Sequence, residues 1–165
     1  MNNIILVGSS SSLKSNLKNL GYNISSFGRK TTPKFDLSDS FRKSIYKVIP
    51  LNETIYVINV GILNNMNILD YNEEEAWDSI NVNCLAIVKL CEHILKHNVS
   101  ARIIIIGSES GRKGSYDTVY FLAKSAIRAY VRQRYLFHPD QQLLLVSPST
   151  IIDGGTSEIG LESTV

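Results

Sequence analysis

The chain has 165 residues, with 17 Lys and Arg against 15 Asp and Glu, 44% apolar and 19% charged. That length suits one domain with a core of its own, and the composition excludes disordered, collagen-like and membrane-embedded classes. A net charge of +2 is too small to point to nucleic acid or an anionic membrane as a partner.

The apolar run Ile4 to Val7 is followed at once by Gly8 and four serines. Short, wholly apolar and β-branched, it predicts a strand buried on both faces, as in parallel sheets. This run is too short for a signal peptide, and no stretch approaches the ~18 apolar residues of a membrane span. A cytoplasmic location is expected. Leu13, Leu17 and Leu20 recur at helical spacing, and Gly21 closes that helix. Tyr22 to Phe27 reads as a second strand, residues 28–33 as a loop, and Phe35-Asp36-Leu37 as a brief third strand. Ser38 or Asp39 can cap a helix to about Val48, stopped by Pro50.

Thr54 to Val60 is a β-rich run, and Gly61 to Asn72 a loop. Glu73 opens a long helix to about His97, with acids at the positive end of its dipole and an apolar stripe from Trp77 to Leu95. Cys84 and Cys91 lie seven apart in it. A rise of about 10.5 Å is too long for a disulfide, so both read as buried thiols of a reducing compartment. His93 and His97 share a helix face but find no third ligand, and no metal site is expected. Arg102 to Ile106 predicts a central strand, Ser108 to Ser115 a polar loop, Tyr116 to Phe137 a second long helix, and Leu143 to Val146 another buried strand. From Ile151 onward no element is predicted. The rhythm argues for one doubly wound α/β domain with helices on both faces of a parallel sheet. Right-handed crossovers then gather Gly8, Asn59, Ser108 and Ser147 at the ligand-binding edge.

Several of these residues suit a chemistry. Backbone N–H groups after Gly8, with the Ser9 to Ser12 hydroxyls, suit a pyrophosphate, although the serines can equally be simple caps. Tyr120 and Lys124 are four apart on one helix, so an ammonium would stand beside a phenol and favour its phenolate. The same spacing also describes ordinary surface pairs. Ser108, just past a strand, can donate a hydrogen bond to a carbonyl oxygen. Asn83 lies inside a helix, where asparagine is unfavourable without a reason. With Asn72 and Asn81 nearby, spacing alone does not single it out.

Taken in order, the set resembles the short-chain dehydrogenase/reductase family from Ile4 to about Ile152. Tyr120-Phe-Leu-Ala-Lys124, followed by Ser125 and Ala126, matches the family's Tyr-x-x-x-Lys motif. Ile106-Gly107-Ser108 matches its serine, Val82-Asn83-Cys84 its helix asparagine, and Ile58-Asn59-Val60-Gly61 its Asn-Asn-Ala-Gly motif. Asp36-Leu37-Ser38-Asp39 matches its adenine-facing acid, and Pro148-Ser149 its Pro-Gly turn. The resemblance implies a Rossmann-like fold and hydride transfer between a nicotinamide cofactor and a carbonyl or alcohol of a small or sugar-like substrate. Tyr120 would be the general acid/base, Lys124 would lower its pKa and bind the nicotinamide ribose, Ser108 would polarise the carbonyl, and Asn83 would hold a relay water. The cofactor contacts implied are Gly8, Ser10, Ser11, Ser12, Leu13, Arg29, Asp36, Leu37, Asn59, Val60, Gly61, Tyr120, Lys124 and Pro148. Gly28-Arg29-Lys30 after the second strand favours NADP over NAD, since a guanidinium suits a 2′-phosphate.

The sequence departs from the family in two ways. Of the three glycines of the phosphate loop only Gly8 is present, with Ser12 and Lys14 at positions that pack closely. The chain also has no counterpart of the family's substrate lid and last strand, which makes Leu143–Val146 an apolar edge to be covered by the tail from Ile151 to Val165, by a second subunit or by a partner. Three readings follow: a compact NADP-dependent reductase, a non-catalytic dinucleotide sensor or interaction subunit, and a homologue that binds no nucleotide. Ile127, Tyr130, Val131 and Tyr135 exceed what one sheet face needs, and a homodimer through the two long helices is expected.

Overall fold

The computed structural model describes residues 3–8, 11–39, 45–64, 66–148 and 160–164, and of Ser11 and 160–164 the backbone alone. Five parallel strands form the sheet: β1 (Asn3–Val7), β2 (Asn23–Phe27), β3 (Ile55–Ile58), β4 (Arg102–Ile106) and β5 (Gln142–Ser147). A sixth, β6 (Gly160–Thr164), runs antiparallel on β5, and the order across the sheet is β2-β1-β3-β4-β5-β6. The step from β2 through β1 to β3 reverses the winding, and such reversals open a crevice at the carboxyl ends of the strands.

Helices α1 (Ser11–Asn19), α2 (Glu73–Ile80), α3 (Ala86–His97), α4 (Ser110–Lys113) and α5 (Thr118–Gln133) complete the layers. On one sheet face Ile5, Tyr56, Ile58, Ile103, Ile105, Leu143 and Leu145 bury against α3 and α5. Each fully buried Ile or Leu there is worth about 1.5–3 kcal/mol. On the other face Ile4, Leu6 and Val57 meet Leu13 and Leu17 of α1. Strands covered on both sides must be apolar at successive positions, which is why Ile4 to Val7 read so plainly. Side-chain caps fix the helix ends. Asn72 accepts from the Glu75 amide at 2.9 Å and its own amide donates to Glu75 at 3.3 Å, a capping box. Asn98 ends α3.

The structure corrects five local readings. Phe35-Asp36-Leu37 is not a strand. The Phe35 amide turns back to the Gly28 carbonyl at 3.0 Å, and Phe35 and Leu37 pack into the helix-side core instead of pairing with a neighbour. In place of the start and end of a helix over 38–48 there are separate 3₁₀ turns at Leu37–Asp39 and Ile45–Val48; residues 40–44 lie outside the described residues. The loop 108–115 contains the short helix α4. The tail, for which no element is predicted, supplies the antiparallel strand β6, and of the three possible covers it is the tail that pairs the β5 edge. The helix predicted over Tyr116–Phe137 is shorter, Thr118–Gln133, because Asp117 caps its start and Arg134 has left helical geometry. Both cysteines are free and buried.

Candidate functional site

The site is built at the carboxyl edge of the sheet. The Gly8 amide donates to the Phe27 carbonyl and the Asn59 amide to the Val7 carbonyl, both at 2.8 Å, so the ends of β1, β2 and β3 lie side by side. Gly8 has φ +102°, and a Cβ there would meet the Asn59 carbonyl oxygen at 2.0 Å. Only glycine allows this approach. From it opens a cleft of about 430 Å³, lined by Gly8, Gly28, Arg29, Phe35 to Ser38, Asn59 to Ile62, Asp78 and Val82. Its size is that of a small-ligand site.

Seven predicted cofactor contacts line this cleft: Gly8, Arg29, Asp36, Leu37, Asn59, Val60 and Gly61. Arg29 is exposed at its rim. Asp36 accepts from the Ser38 amide at 3.2 Å and hydroxyl at 2.9 Å, with Lys34 at 3.7 Å. Ser12 is exposed near the start of α1, Leu13 packs on the strands, Lys14 is half-buried, and Pro148 is exposed past β5. Ser12, Leu13 and Pro148 do not line the cleft. Ser10 lies outside the described residues, and of Ser11 only the backbone is described.

Two of the expected catalytic residues, Asn83 and Lys124, meet on the loop after β3. Between α2 and α3 the helix widens into one π-helical turn, Asn81–Leu85. Such turns insert a residue and re-aim side chains, often at functional sites. Here Asn83, fully buried, donates to the Ile62 carbonyl at 2.8 Å and to the Ser79 hydroxyl at 3.3 Å, and accepts from the Ile62 amide at 3.0 Å. Lys124, 4% exposed, donates to the Val60 carbonyl at 3.3 Å. A Cβ on Gly61 would sit 3.0 Å from Asn83 Oδ1 and 3.2 Å from Lys124 Nζ, which puts both groups on one glycine. Lys124 Nζ is also 5.3 Å from the Tyr120 ring centroid. Burial pulls the Lys124 ammonium down to about 8, while the neighbouring Cys84 thiol acts weakly the other way.

Ser108 accepts from the Ser110 amide at 3.1 Å, which leaves its own O–H to donate. It precedes α4, and α4 is docked on α5 where Ser125 donates to the Gly111 carbonyl at 2.9 Å. The Glu109 amide donates to the Pro148 carbonyl at 3.3 Å, so Pro148 braces the serine loop.

Three contributors had escaped the sequence reading. Asp117 accepts from the Tyr120 and Asn64 amides and from the Tyr71 hydroxyl. Glu109, buried, accepts from Arg112 at 2.8 Å. Asn81 donates to the Ser38 carbonyl at 3.1 Å and so ties the π turn to the cleft rim. For Asp117 a signal existed: an Asp immediately before a predicted helix is a standard cap. The others depend on contacts that no local pattern announces. Among the described residues no group of three metal-binding side chains occurs, and no helix is long and apolar enough to cross a membrane.

The residues on which the dimer expectation rested are placed differently. Ile127 and Val131 are core, and Tyr130 donates to Glu92 at 2.7 Å, so these three offer no free face; Tyr135 is exposed beyond α5. The exposed apolar side chains of the long helices are Trp77, Leu85 and Leu122.

A model of the short chain dehydrogenase family matches residues 4–136. No curated protein sequence matches the chain significantly. Among similar solved structures, protein lin1944 from Listeria innocua is 16% identical, with 92% of this chain and 79% of that chain covered and a TM-score of 0.76. An alcohol dehydrogenase from the archaeon Thermococcus sibiricus, complexed with 5-hydroxy-NADP, is 19% identical, with 92% and 77% covered and a TM-score of 0.76. Thermoplasma acidophilum aldohexose dehydrogenase, in ligand-free form, is 16% identical, with 90% and 66% covered and a TM-score of 0.76. These likenesses establish the shared Rossmann-like fold. With the family match over most of its length, and with the Tyr120–Lys124 pair and Asn83 assembled beside the cleft, the chain belongs to the short-chain dehydrogenase family.

Proposed function

We propose that the chain is an NADP(H)-dependent oxidoreductase that reduces a carbonyl group, or in reverse dehydrogenates the alcohol, by hydride transfer on a small or sugar-like substrate. The observation that carries this reading is the loop Asn59–Ile62. One side of it lines the cleft, and the other is held by Asn83 and Lys124, with the Tyr120 ring beside the lysine. The cleft fits a dinucleotide: bare glycine backbone at Gly8, an acid at Asp36 for hydroxyl groups, and a guanidinium at the rim. Arg29, and the absence of an acid in Gly28-Arg29-Lys30, support a 2′-phosphate. The nucleotide bound by the Thermococcus enzyme supports the same choice.

The nicotinamide, when bound, supplies the hydride. Tyr120 gives its phenolic proton to the carbonyl oxygen as that oxygen gains charge, and is reprotonated from solvent. Lys124 stabilises the phenolate left behind and would hold the ribose hydroxyls of a bound cofactor. Ser108 donates a hydrogen bond to the reacting oxygen. Asn83 holds the Ile62 backbone in place and would thereby steady the loop that borders a bound cofactor.

A second reading, a nucleotide-binding protein without turnover, draws on the placement of Ser12 and Leu13 outside the cleft where the family has glycine-rich phosphate contacts. One titration separates the two. NADPH and NADH are titrated against intrinsic fluorescence, then NADPH oxidation is followed with nitrobenzaldehyde and ethyl acetoacetate. Micromolar NADPH binding, weakened at least about tenfold by Arg29→Ala, with turnover lost in Tyr120→Phe, supports the reductase. Binding without turnover supports the second reading, and no binding at millimolar nucleotide removes both. Pairing of the long helices into a homodimer is part of the proposal, supported by exposed Trp77, Leu85 and Leu122. A monomer by sedimentation at tens of micromolar would remove that part. The two free, buried cysteines support the cytoplasm as its location.

A further inference from the structure

We propose that Asp117 is a positioning residue for turnover, because its buried carboxylate ties the loop after β3 to the first turn of the helix that carries Tyr120. The inference rests on the reductase reading.

Asp117 is 1% exposed. One oxygen, Oδ1, accepts from the Tyr120 amide at 2.9 Å and caps α5. The other, Oδ2, accepts from the Asn64 amide at 3.1 Å. The Tyr71 hydroxyl reaches both oxygens at 2.9 Å. Capping a helix does not call for any of this beyond the first bond. Serine, threonine or asparagine caps as well as aspartate, with one acceptor and no buried charge. Burying a carboxylate is costly unless its lone pairs are filled. Here they are filled by three donors that belong to two separate parts of the fold, 46 and 53 residues away for Tyr71 and Asn64.

The mechanical consequence follows from Asn83. It grips Ile62 by both backbone groups, and two residues on Asp117 grips Asn64. The loop that borders the cleft is thus pinned on one side by the π turn and on the other by the start of α5. The Tyr120 backbone and the Asn64 backbone hang from the two oxygens of one side chain. A shift of the loop relative to the helix would change the distance from Tyr120 to a carbonyl held over the cleft. Misplacement of about 1 Å can cost on the order of 100-fold in rate.

The test uses Asp117→Asn, which has the same shape and still caps α5 through its amide oxygen, but turns an N–H donor towards the Asn64 N–H. Asp117→Ser keeps the cap and cannot reach Asn64. Expected are a kcat lower by about 10- to 100-fold in both, an NADPH Kd within about threefold of wild type, and faster hydrogen exchange at the Asn64 and Tyr71 amides while the first turn of α5 stays protected. Tyr71→Phe leaves the cap intact and is expected to lose about 3- to 10-fold in kcat, with no further loss when combined with Asp117→Asn. Wild-type kcat in both Asp117 variants would show a cap and nothing more, and overturn the proposal. Equal losses in NADPH binding, kcat and melting temperature would show a general structural role and overturn it too. Unchanged exchange at Asn64 in Asp117→Asn would overturn the tie itself, whatever the turnover. A wild-type chain that binds NADPH and reduces no carbonyl would instead fell the reductase reading, and Asp117's catalytic consequence with it.

Discussion

Lys124 is a charge that the apo fold holds at a cost. It is 4% exposed, and burial brings its ammonium from 10.5 to about 8. Each tenfold change in proton affinity is worth about 1.4 kcal/mol, so the folded chain at pH 7 carries a desolvation cost of about 3 kcal/mol. Lys124→Met removes the charge and keeps the length of the side chain. It also removes the 3.3 Å hydrogen bond to the Val60 carbonyl, which returns about 1 kcal/mol. The variant is therefore expected to be more stable by about 2 kcal/mol at pH 7, and inactive. The sign of the pH dependence is fixed. A base whose folded pKa is depressed binds fewer protons folded than unfolded between about 8 and 10.5. The cost is full below 8 and disappears as pH rises through 10.5. The assay is urea denaturation of both proteins without nucleotide, at about pH 7 and about pH 10, the common titrations cancelling in the difference. A variant no more stable than wild type at pH 7, or a gain that does not shrink at pH 10, would refute the reasoning.

Other outcomes follow from single contacts. Gly8→Ala puts a Cβ 2.0 Å from the Asn59 carbonyl oxygen at φ +102°; it is expected to cost at least about 2 kcal/mol in urea denaturation and to abolish NADPH binding. Tyr120→Phe is expected to lower turnover by about 100- to 10,000-fold while leaving the NADPH Kd within about twofold, read by stopped-flow and fluorescence. His93 is pulled below the usual histidine range by burial first and His97 second, and among the described residues its Nε2 has no hydrogen-bond partner. The unfolded chain then takes up a proton at about pH 6.5 that the folded chain resists. Stability is full above that pH and falls below it, and His93→Phe is expected to flatten the decline in thermal melts between about pH 7 and pH 5.

Much of this protein was legible before folding because its signals are short-range. Ile4 to Val7, Arg102 to Ile106 and Leu143 to Val146 announce buried parallel strands by composition alone, and β1, β4 and β5 lie on them. Gly21 marks the end of α1 by chemistry confined to one turn. Gly8, Arg29, Asn59, Val60 and Gly61 line the cleft because each follows a strand whose direction the βαβ rhythm sets, whereas Asp36 and Leu37 reach it by the turn back to Gly28.

What the tertiary structure alone decided lies in pairings between distant residues. Phe35 and Leu37 look like a strand, but a turn back to Gly28 and a place in the helix-side core claim them first. The π turn that lets Asn83 reach Ile62 and Asn81 reach Ser38 breaks a helix that the apolar stripe describes as uniform. Edge pairing by β6 depends on a neighbour, β5, that the tail's own residues do not name. The second oxygen of Asp117 shows the same limit: a cap is written in the residue before a helix, but a loop held 53 residues away is not. Local backbone preference and hydrophobic period act within a few residues and so can be read from the chain. The burial of a lysine, the filling of a carboxylate's lone pairs and the choice between strand and core depend on which surfaces meet, and those exist only once the layers have packed.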